Sequence, residues 1–314
     1  MSKYGRIDLG KIRTYSIHSR KSKTLIGGFA RKTGAKDSIS VFRSKLPKYL
    51  KARELNEFIE IMKKARKANK PIIFMLGAHV IKCGLSPVIM DLMGEGFVSL
   101  IALNGAGAIH DFEIAKWGLT SENVDESIKQ GSFGMAKQTA DLFNKNSVLA
   151  RKRDLGLGEA LGLNLLRDKA PYVKYSLLAC AYRANIPVTV HVGFGTDIVH
   201  QHPSFDPCAT GQATFNDFKT LCDVVSGLSE GGVVLNVGSA VLLPEVFLKA
   251  LSVARNLKDK VNKFHTANFD MIQHYRPNVN VVERPTRNGG RGFSFTGHHE
   301  IMIPLLAWML KSED

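Results

Sequence analysis

Cysteine is sparse in this chain of 314 residues, and Cys83, Cys180, Cys208 and Cys222 are scattered without a CxxC pair. That spacing argues against a disulfide framework or a structural zinc site and leaves reduced, core-packed thiols. No apolar run reaches the roughly 18 residues that a membrane span needs. The N-terminus carries basic residues but no apolar h-region. A cytoplasmic protein with no membrane partner is therefore expected. Short internal repeats and low-complexity tracts are also lacking, so the chain reads as one large domain with or without an appendage.

What is present in excess is positive charge, with a formal net charge of +15. Residues 1–53 hold 15 Lys or Arg against only Asp8 and Asp37, which leaves 28 basic and 26 acidic residues for the rest. Nearly all the excess is one segment. We read residues 1–47 as a basic extension ending near Pro47, and residues 48–314 as the folded domain. Such an arm suits RNA, an acidic partner or a neighbouring subunit, although a solvated extension without a specific partner explains it too. It lacks the aromatic interleaving of a base-stacking surface.

The folded part is organised around Pro71 to Glu113. An apolar run, Ile72 to Leu76, stops at Gly77, a helical pattern from Leu85 to Met93 ends in glycines, and a second apolar run, Phe97 to Leu103, breaks at Asn104. Strand, helix and strand with short connections form a βαβ unit, whose ligand crevice lies beyond the carboxyl ends of the strands. Ala78, His79, Asn104, Gly105, Ala106 and Gly107 then share one rim, where small residues let backbone N–H groups approach a phosphorylated ligand. An ordinary tight turn explains Gly105 to Gly107 equally well, because the full GxGxxG is absent.

The alternation continues. Helical patterns cover Tyr49 to Ala68, residues 123–166 with breaks at 131–134 and 156–158, Pro171 to Ala184, Phe218 to Leu228, Pro244 to Arg255 and Glu300 to Leu310. Strands are expected at Pro187 to His191, Gly231 to Val237, Lys263 to Ala267 and Val279 to Glu283. This predicts an α/β domain with a doubly wound, mainly parallel, Rossmann-like sheet.

Chemistry-bearing residues cluster in four places. Asp197, His200 and His202 share the loop after one strand, and His298, His299 and Glu300 open the last helix. These types can ligate zinc, iron or manganese, but loop histidines beside a crevice also simply hydrogen-bond substrate. His110 and Asp111 can be a general base with its carboxylate, or a helix cap. Arg284, Arg287 and Arg291 crowd a glycine-rich stretch and suit a phosphate or carboxylate. Lys82 follows the first rim loop and can reach a phosphate.

Several blocks resemble the deoxyhypusine synthase family, NAD-dependent enzymes that move the aminobutyl group of spermidine to a lysine of a translation factor. They are Phe74 to His79, Asn104 to Asp111, Asn185 to Val188, Gly195 to Ile198, Gly232 to Ser239, His265 to Ala267 and Ile303 to Leu306. The resemblance implies a deoxyhypusine synthase-like fold and an NAD site at a subunit interface, in a homotetramer. It puts Ala78, His79, Asn104, Gly105, Ala106, Gly107, Asp197, Gly238 and Thr266 near the cofactor. His110 stands where the family has a polyamine-binding Glu, and Asp111 matches the acid after it. The family's imine-forming lysine has no counterpart, since no lysine occurs between Lys263 and Lys311. Arginine stays protonated and cannot replace it, so direct attack by the acceptor amine is the simpler route.

The expected function is an NAD-dependent transferase acting on a polyamine or related amine. Asp197 would hold the cationic substrate and His110 or His298 would move protons. Asp111, His200, His202, Arg287, His299 and Glu300 would contact the substrate, and no metal is assigned. An NAD-using or metal-assisted enzyme for a small anionic substrate is one alternative. A non-catalytic nucleotide-binding module, with the arm contacting RNA or protein, is the other.

Overall fold

Along the first strand, β1 (Ile72–Leu76), the side chains divide between two cores. Ile72, Phe74 and Leu76 enter one apolar cluster, while Ile73 and Met75 enter a second on the opposite face. A strand apolar on both faces must be covered on both, which is the condition for a parallel sheet between two helical layers. The computed structural model, which describes residues 2–258 and 260–312, has that arrangement.

Before β1 come α1 (Ile39–Lys45) and α2 (Leu50–Lys67). After it follow α3 (Ala78–Lys82), α4 (Ser86–Gly94), β2 (Leu100–Asn104) and α5 (Gly105–Trp117). Four helices, α6 (Val124–Lys129), α7 (Lys137–Arg153), α8 (Leu157–Arg167) and α9 (Leu177–Arg183), precede β3 (Val188–His191). The second half runs α10 (Pro207–Ser226), β4 (Val233–Val237), α11 (Leu242–Lys258), β5 (His265–Asp270), a short turn α12 (Tyr275–Pro277), β6 (Gly292–Thr296) and α13 (His299–Lys311). The sheet has six strands in the order β3-β2-β1-β4-β5-β6, and every pairing is parallel. This is the doubly wound, Rossmann-like fold. Because β1 pairs with both β2 and β4, the strand order reverses there and a crevice opens beyond their ends.

The covering layers follow from helical periodicity. On α2, Leu55, Phe58, Ile59, Met62 and Ala65 are buried at helical spacing. Phe58 stands 5.4–5.9 Å from the rings of Phe269, Phe293 and Phe295. On the other face, Leu221 and Val225 of α10 and Leu243, Phe247 and Leu251 of α11 close the second cluster.

Three elements differ from the sequence expectation. Val279 to Glu283 is no strand: Asn278–Glu283 is a π-helical turn with Val281 buried, between Pro277 and Pro285. The missing strand is β6, where Phe293 and Phe295 alternate into the core. The glycine stretch Gly105 to Gly107 is the first turn of α5, with the Asn104 side chain accepting from the Gly107 N–H at 3.0 Å.

Residues 2–38 form only short 3₁₀ turns and are mostly exposed, Ile7 and Leu9 included. The Leu25 N–H donates to the Tyr49 hydroxyl at 2.6 Å, tying this stretch to the start of α2. Ile39 of α1 is buried in the core. Among the described residues, no helix is long and apolar enough to cross a membrane.

Candidate active site

Two neighbouring regions lie beyond the carboxyl ends of the strands, one on each side of α3. The first is a pocket of about 670 Å³ beyond β2 and β3. Its walls are largely apolar, with Ile109, Trp117, Leu119, Val124, Phe133 and Ile198. The polar groups it gathers are Lys82, His110, Glu113, Thr120, Glu122, Gln138, Thr139 and Asp197, together with Ser121 and Thr196.

Asp197 is brought to the N-terminus of α5 by the turn after β3. A Cβ on Gly105 would lie 2.0 Å from Asp197 Oδ2, so the carboxylate packs where a side chain would otherwise be. Burial pushes its pKa up to about 6, while the Ala106 N–H holds it down. His200 secures the same turn: its Nδ1 accepts from the Gly195 N–H at 3.2 Å and the Asp197 N–H at 3.4 Å. His202 Nε2 donates to the Gly134 carbonyl at 2.8 Å and Gln201 Nε2 to that of Phe133 at 3.1 Å. The two histidines thus build the loops around the pocket, and they are not among its lining residues.

His110 belongs to a relay that sequence reasoning missed. The Thr120 hydroxyl donates to Glu113 Oε2 at 2.5 Å, so His110 Nδ1, 2.7 Å from the Thr120 oxygen, must be the donor to that hydroxyl. Thr139 donates to the other Glu113 oxygen at 2.7 Å. The network therefore assigns the proton to Nδ1 and leaves Nε2 as a lone pair. Burial lowers the His110 pKa, against the opposing charge of Glu113, so the neutral form dominates near pH 7. The available signal was the spacing of His110 and Glu113, one turn apart on a single helix.

The second region is the crevice between β1 and β4. A Cβ on Gly77 would fall 2.1 Å from the Gly238 carbonyl oxygen, so two backbones touch at its floor. Gly238, at φ +69°, faces the His299 ring in turn. Around this floor stand Ala78, His79, Cys83, His298, His299 and Glu300. His79 Nε2 is 3.1 Å from Cys83 Sγ, and the rings of His79 and His299 are 5.7 Å apart. His298 is the exposed N-cap of α13, with Nδ1 3.8 Å from Glu300 Oε1, and does not line the pocket.

Other expected site residues lie elsewhere. Asp111 is fully buried, accepting from the Ser176 hydroxyl and from the Leu177 and Leu178 N–H groups; it anchors α9 and is not among the residues lining the pocket. Thr266 is the second residue of β5, buried near the amino end of the strand and far from its rim. Arg287 is exposed in the turn before β6, also at the amino end of the sheet. Nearby, Arg291 pairs with Glu54 and Glu57, and Arg284 donates to Asn280. The arginines expected to capture an anion therefore belong to the opposite edge. Of the four residues Asn104 to Gly107, the Gly107 N–H is taken by Asn104 and the Ala106 N–H is directed to Asp197. A carboxylate thus already occupies the end of α5 where a phosphate was expected.

Comparison with family models and with the sequences of characterised proteins finds no match. Solved structures share the fold. A conserved LOR/SDH protein from Methanococcus maripaludis S2 aligns over 90% of this chain and 72% of its own, at 14% identity and a TM-score of 0.51. A ternary complex of AgrE with ornithine and NAD+ aligns over 82% of this chain, at 14% identity and a TM-score of 0.50. This chain spans only 32% of the AgrE chain. A structure assigned to deoxyhypusine synthase from Entamoeba histolytica aligns over 87% of this chain and 93% of its own, at 10% identity and a TM-score of 0.49. At these identities the likeness is one of fold.

Proposed function

We propose that this protein is an NAD-dependent enzyme acting on an amine, with the amine's cationic end held by Asp197. The observation that carries this reading is the buried Asp197 carboxylate in an apolar-walled pocket, beside a histidine whose Nε2 is free to accept a proton. Such a pocket takes an alkyl chain along Ile109, Trp117 and Leu119 and an ammonium group at Asp197. An anion would meet Asp197, Glu113 and Glu122. The reading agrees with the polyamine substrate implied by the sequence resemblance, and ornithine, the amine in the AgrE complex, belongs to the same class.

NAD suits the crevice between β1 and β4. Gly77 and Gly238 join backbone to backbone at its floor without side chains, and α11 begins just beyond the Gly238 turn. A bound nicotinamide would supply the hydride acceptor for the C–H bond next to the amine nitrogen. His110 Nε2 takes the ammonium proton that must leave before that oxidation. Glu113 and Thr120 keep the imidazole in the Nδ1–H tautomer and stabilise its protonated form. Asp197 stabilises the cationic iminium carbon–nitrogen group more strongly than the neutral amine from which it forms. Transfer then consists of an acceptor amine adding to that carbon, departure of the original amine with the proton that His110 Nε2 holds, and return of the hydride to the new carbon–nitrogen double bond. Lys82 is the one lysine among the pocket-lining residues, and direct attack by the acceptor needs no covalent role for it.

Calorimetric titration with NAD, alone and with spermidine or ornithine present, tests this. Micromolar NAD binding strengthened by the amine is expected. NAD binding indifferent to either amine removes the amine reading, and no NAD binding removes the cofactor.

A further inference from the structure

The side chains gathered at the crevice have a composition that nucleotide binding does not require. On α3 and its C-cap, His79 and Cys83 are one helical turn apart and present Nε2 and Sγ within 3.1 Å of each other. Glu300, in the first turn of α13, brings a carboxylate to the same point: the ligand atoms of His79, Cys83 and Glu300 all lie within 4.8 Å of one another. A thiol, an imidazole and a carboxylate from two separate helices thus converge.

A second observation concerns His299, which is 1% exposed. Its Nε2 is 3.3 Å from the Phe269 carbonyl oxygen and 3.8 Å from Asp270 Oδ1, so Nε2 carries the proton. Nδ1 is then a lone pair, and it is buried without a hydrogen-bond partner among the described residues. The His299 ring lies 5.7 Å from that of His79.

We infer that His79, Cys83 and Glu300 form a binding site for a divalent transition-metal ion of the zinc type, with the fourth position left to solvent. The mixture of sulfur and nitrogen donors excludes magnesium and calcium, which take oxygen ligands. An ion here balances the charge of Glu300 and of the thiolate. The site is separate from the amine pocket, on the other side of α3, and stands independently of the amine reading.

The test is cobalt titration of the chelator-treated, full-length protein under reducing conditions, without NAD or amine. One equivalent of Co²⁺ should bind and give the thiolate-to-cobalt charge-transfer band together with the intense d–d absorption of a four-coordinate ion. Cys83→Ser should remove the charge-transfer band, while His79→Ala and Glu300→Gln, at exposed positions, should each weaken binding by about tenfold or more. Weak d–d absorption of a six-coordinate ion, a charge-transfer band that survives in Cys83→Ser, or unchanged affinity in His79→Ala would overturn the assignment. Should Cys83→Ser fail to fold, alkylation of the native chain decides. Zn²⁺ should protect Cys83 and leave the exposed Cys208 reactive, and equal labelling with and without Zn²⁺ contradicts the site. Because these readouts use neither NAD nor amine, the metal assignment and the amine reading can fail separately.

Discussion

The pocket beyond β2 and β3 and the crevice between β1 and β4 share a rim and one helix, α3, but they are made in opposite ways. In the pocket, a missing side chain at Gly105 admits the carboxylate of Asp197, and apolar walls leave that charge only partly compensated. At the crevice, missing side chains at Gly77 and Gly238 let backbone meet backbone, and nitrogen and sulfur donors collect above it. Glycine is required at both places. In one it makes room for a functional group; in the other it allows the two halves of the sheet to join.

The largest test of that contrast is a pair of alanine substitutions. Gly77→Ala places a Cβ 2.1 Å from the Gly238 carbonyl oxygen, where only backbone can yield. It should cost about 3 kcal/mol of stability by denaturant titration. Gly105→Ala meets a carboxylate that can swing away, at 2.0 Å. Its stability loss should be nearer 1 kcal/mol, while amine affinity falls by about 10- to 100-fold as a charge-assisted contact is lost. Equal stability losses would mean that the two glycines do the same job.

Asp197→Asn separates binding from folding. The folded-state pKa of Asp197 is raised from 3.8 to about 6, so ionising it as pH rises through about 6 destabilises the native state relative to the unfolded one. The asparagine variant should therefore be more stable at pH 8, by up to about 3 kcal/mol, while binding the amine at least about tenfold more weakly. Thermal melts and calorimetry on the same samples check both signs. In the unmutated protein, amine binding should be full above about pH 6 and fall below it as Asp197 takes up its proton. A flat profile between pH 5 and about 8 would mean that another group holds the cation.

The smallest effect is expected for Glu113→Gln. The amide can still accept from a threonine hydroxyl but no longer stabilises a charged His110, so kcat should fall by about tenfold with little change in amine Kd. A loss confined to Kd would make Glu113 a binding carboxylate.

Where a local pattern decides the structure, the sequence was a good guide. Ile72 to Leu76, the helix after it and the three helical stretches between residues 123 and 166 needed only apolar periodicity and glycine or proline punctuation. The failures have local causes too. Glycines disfavour a helix interior, so Gly105 to Gly107 read as a loop although Asn104 supplies a proper cap. The valines of Val279 to Glu283 read as a strand, whereas burial under α11 and the flanking prolines favour a tight helical turn. In β6, the alternation of Phe293 and Phe295 was present but hidden by the basic, glycine-rich stretch before it.

For the site, residue types were legible and partnerships were not. Asp197 and His110 were recognisable as candidates, but nothing near them in sequence shows that Gly105 clears space for one or that Thr120 fixes the tautomer of the other. Cys83 and Glu300 come together only through the packing of α3 beside α13, which no spacing along the chain encodes. Thr266 and Arg287 were placed by motif, and strand direction puts both at the other end of the sheet.

Asp111 has a consequence for how this protein can diversify. One face of α5 carries His110 and Glu113, while Asp111 on the same helix is bolted to the first turn of α9 by three hydrogen bonds. The reacting groups consequently ride on a beam that cannot tilt to suit a longer or bulkier guest. Residues 119–136 form the opposite wall, whose Phe133 and Gly134 are held by the side chains of Gln201, His202 and Glu122. Exchange of that wall beyond Thr120 changes which molecules enter while His110 and Glu113 keep their places, so new specificities are accessible here through insertion and drift in a single connecting segment.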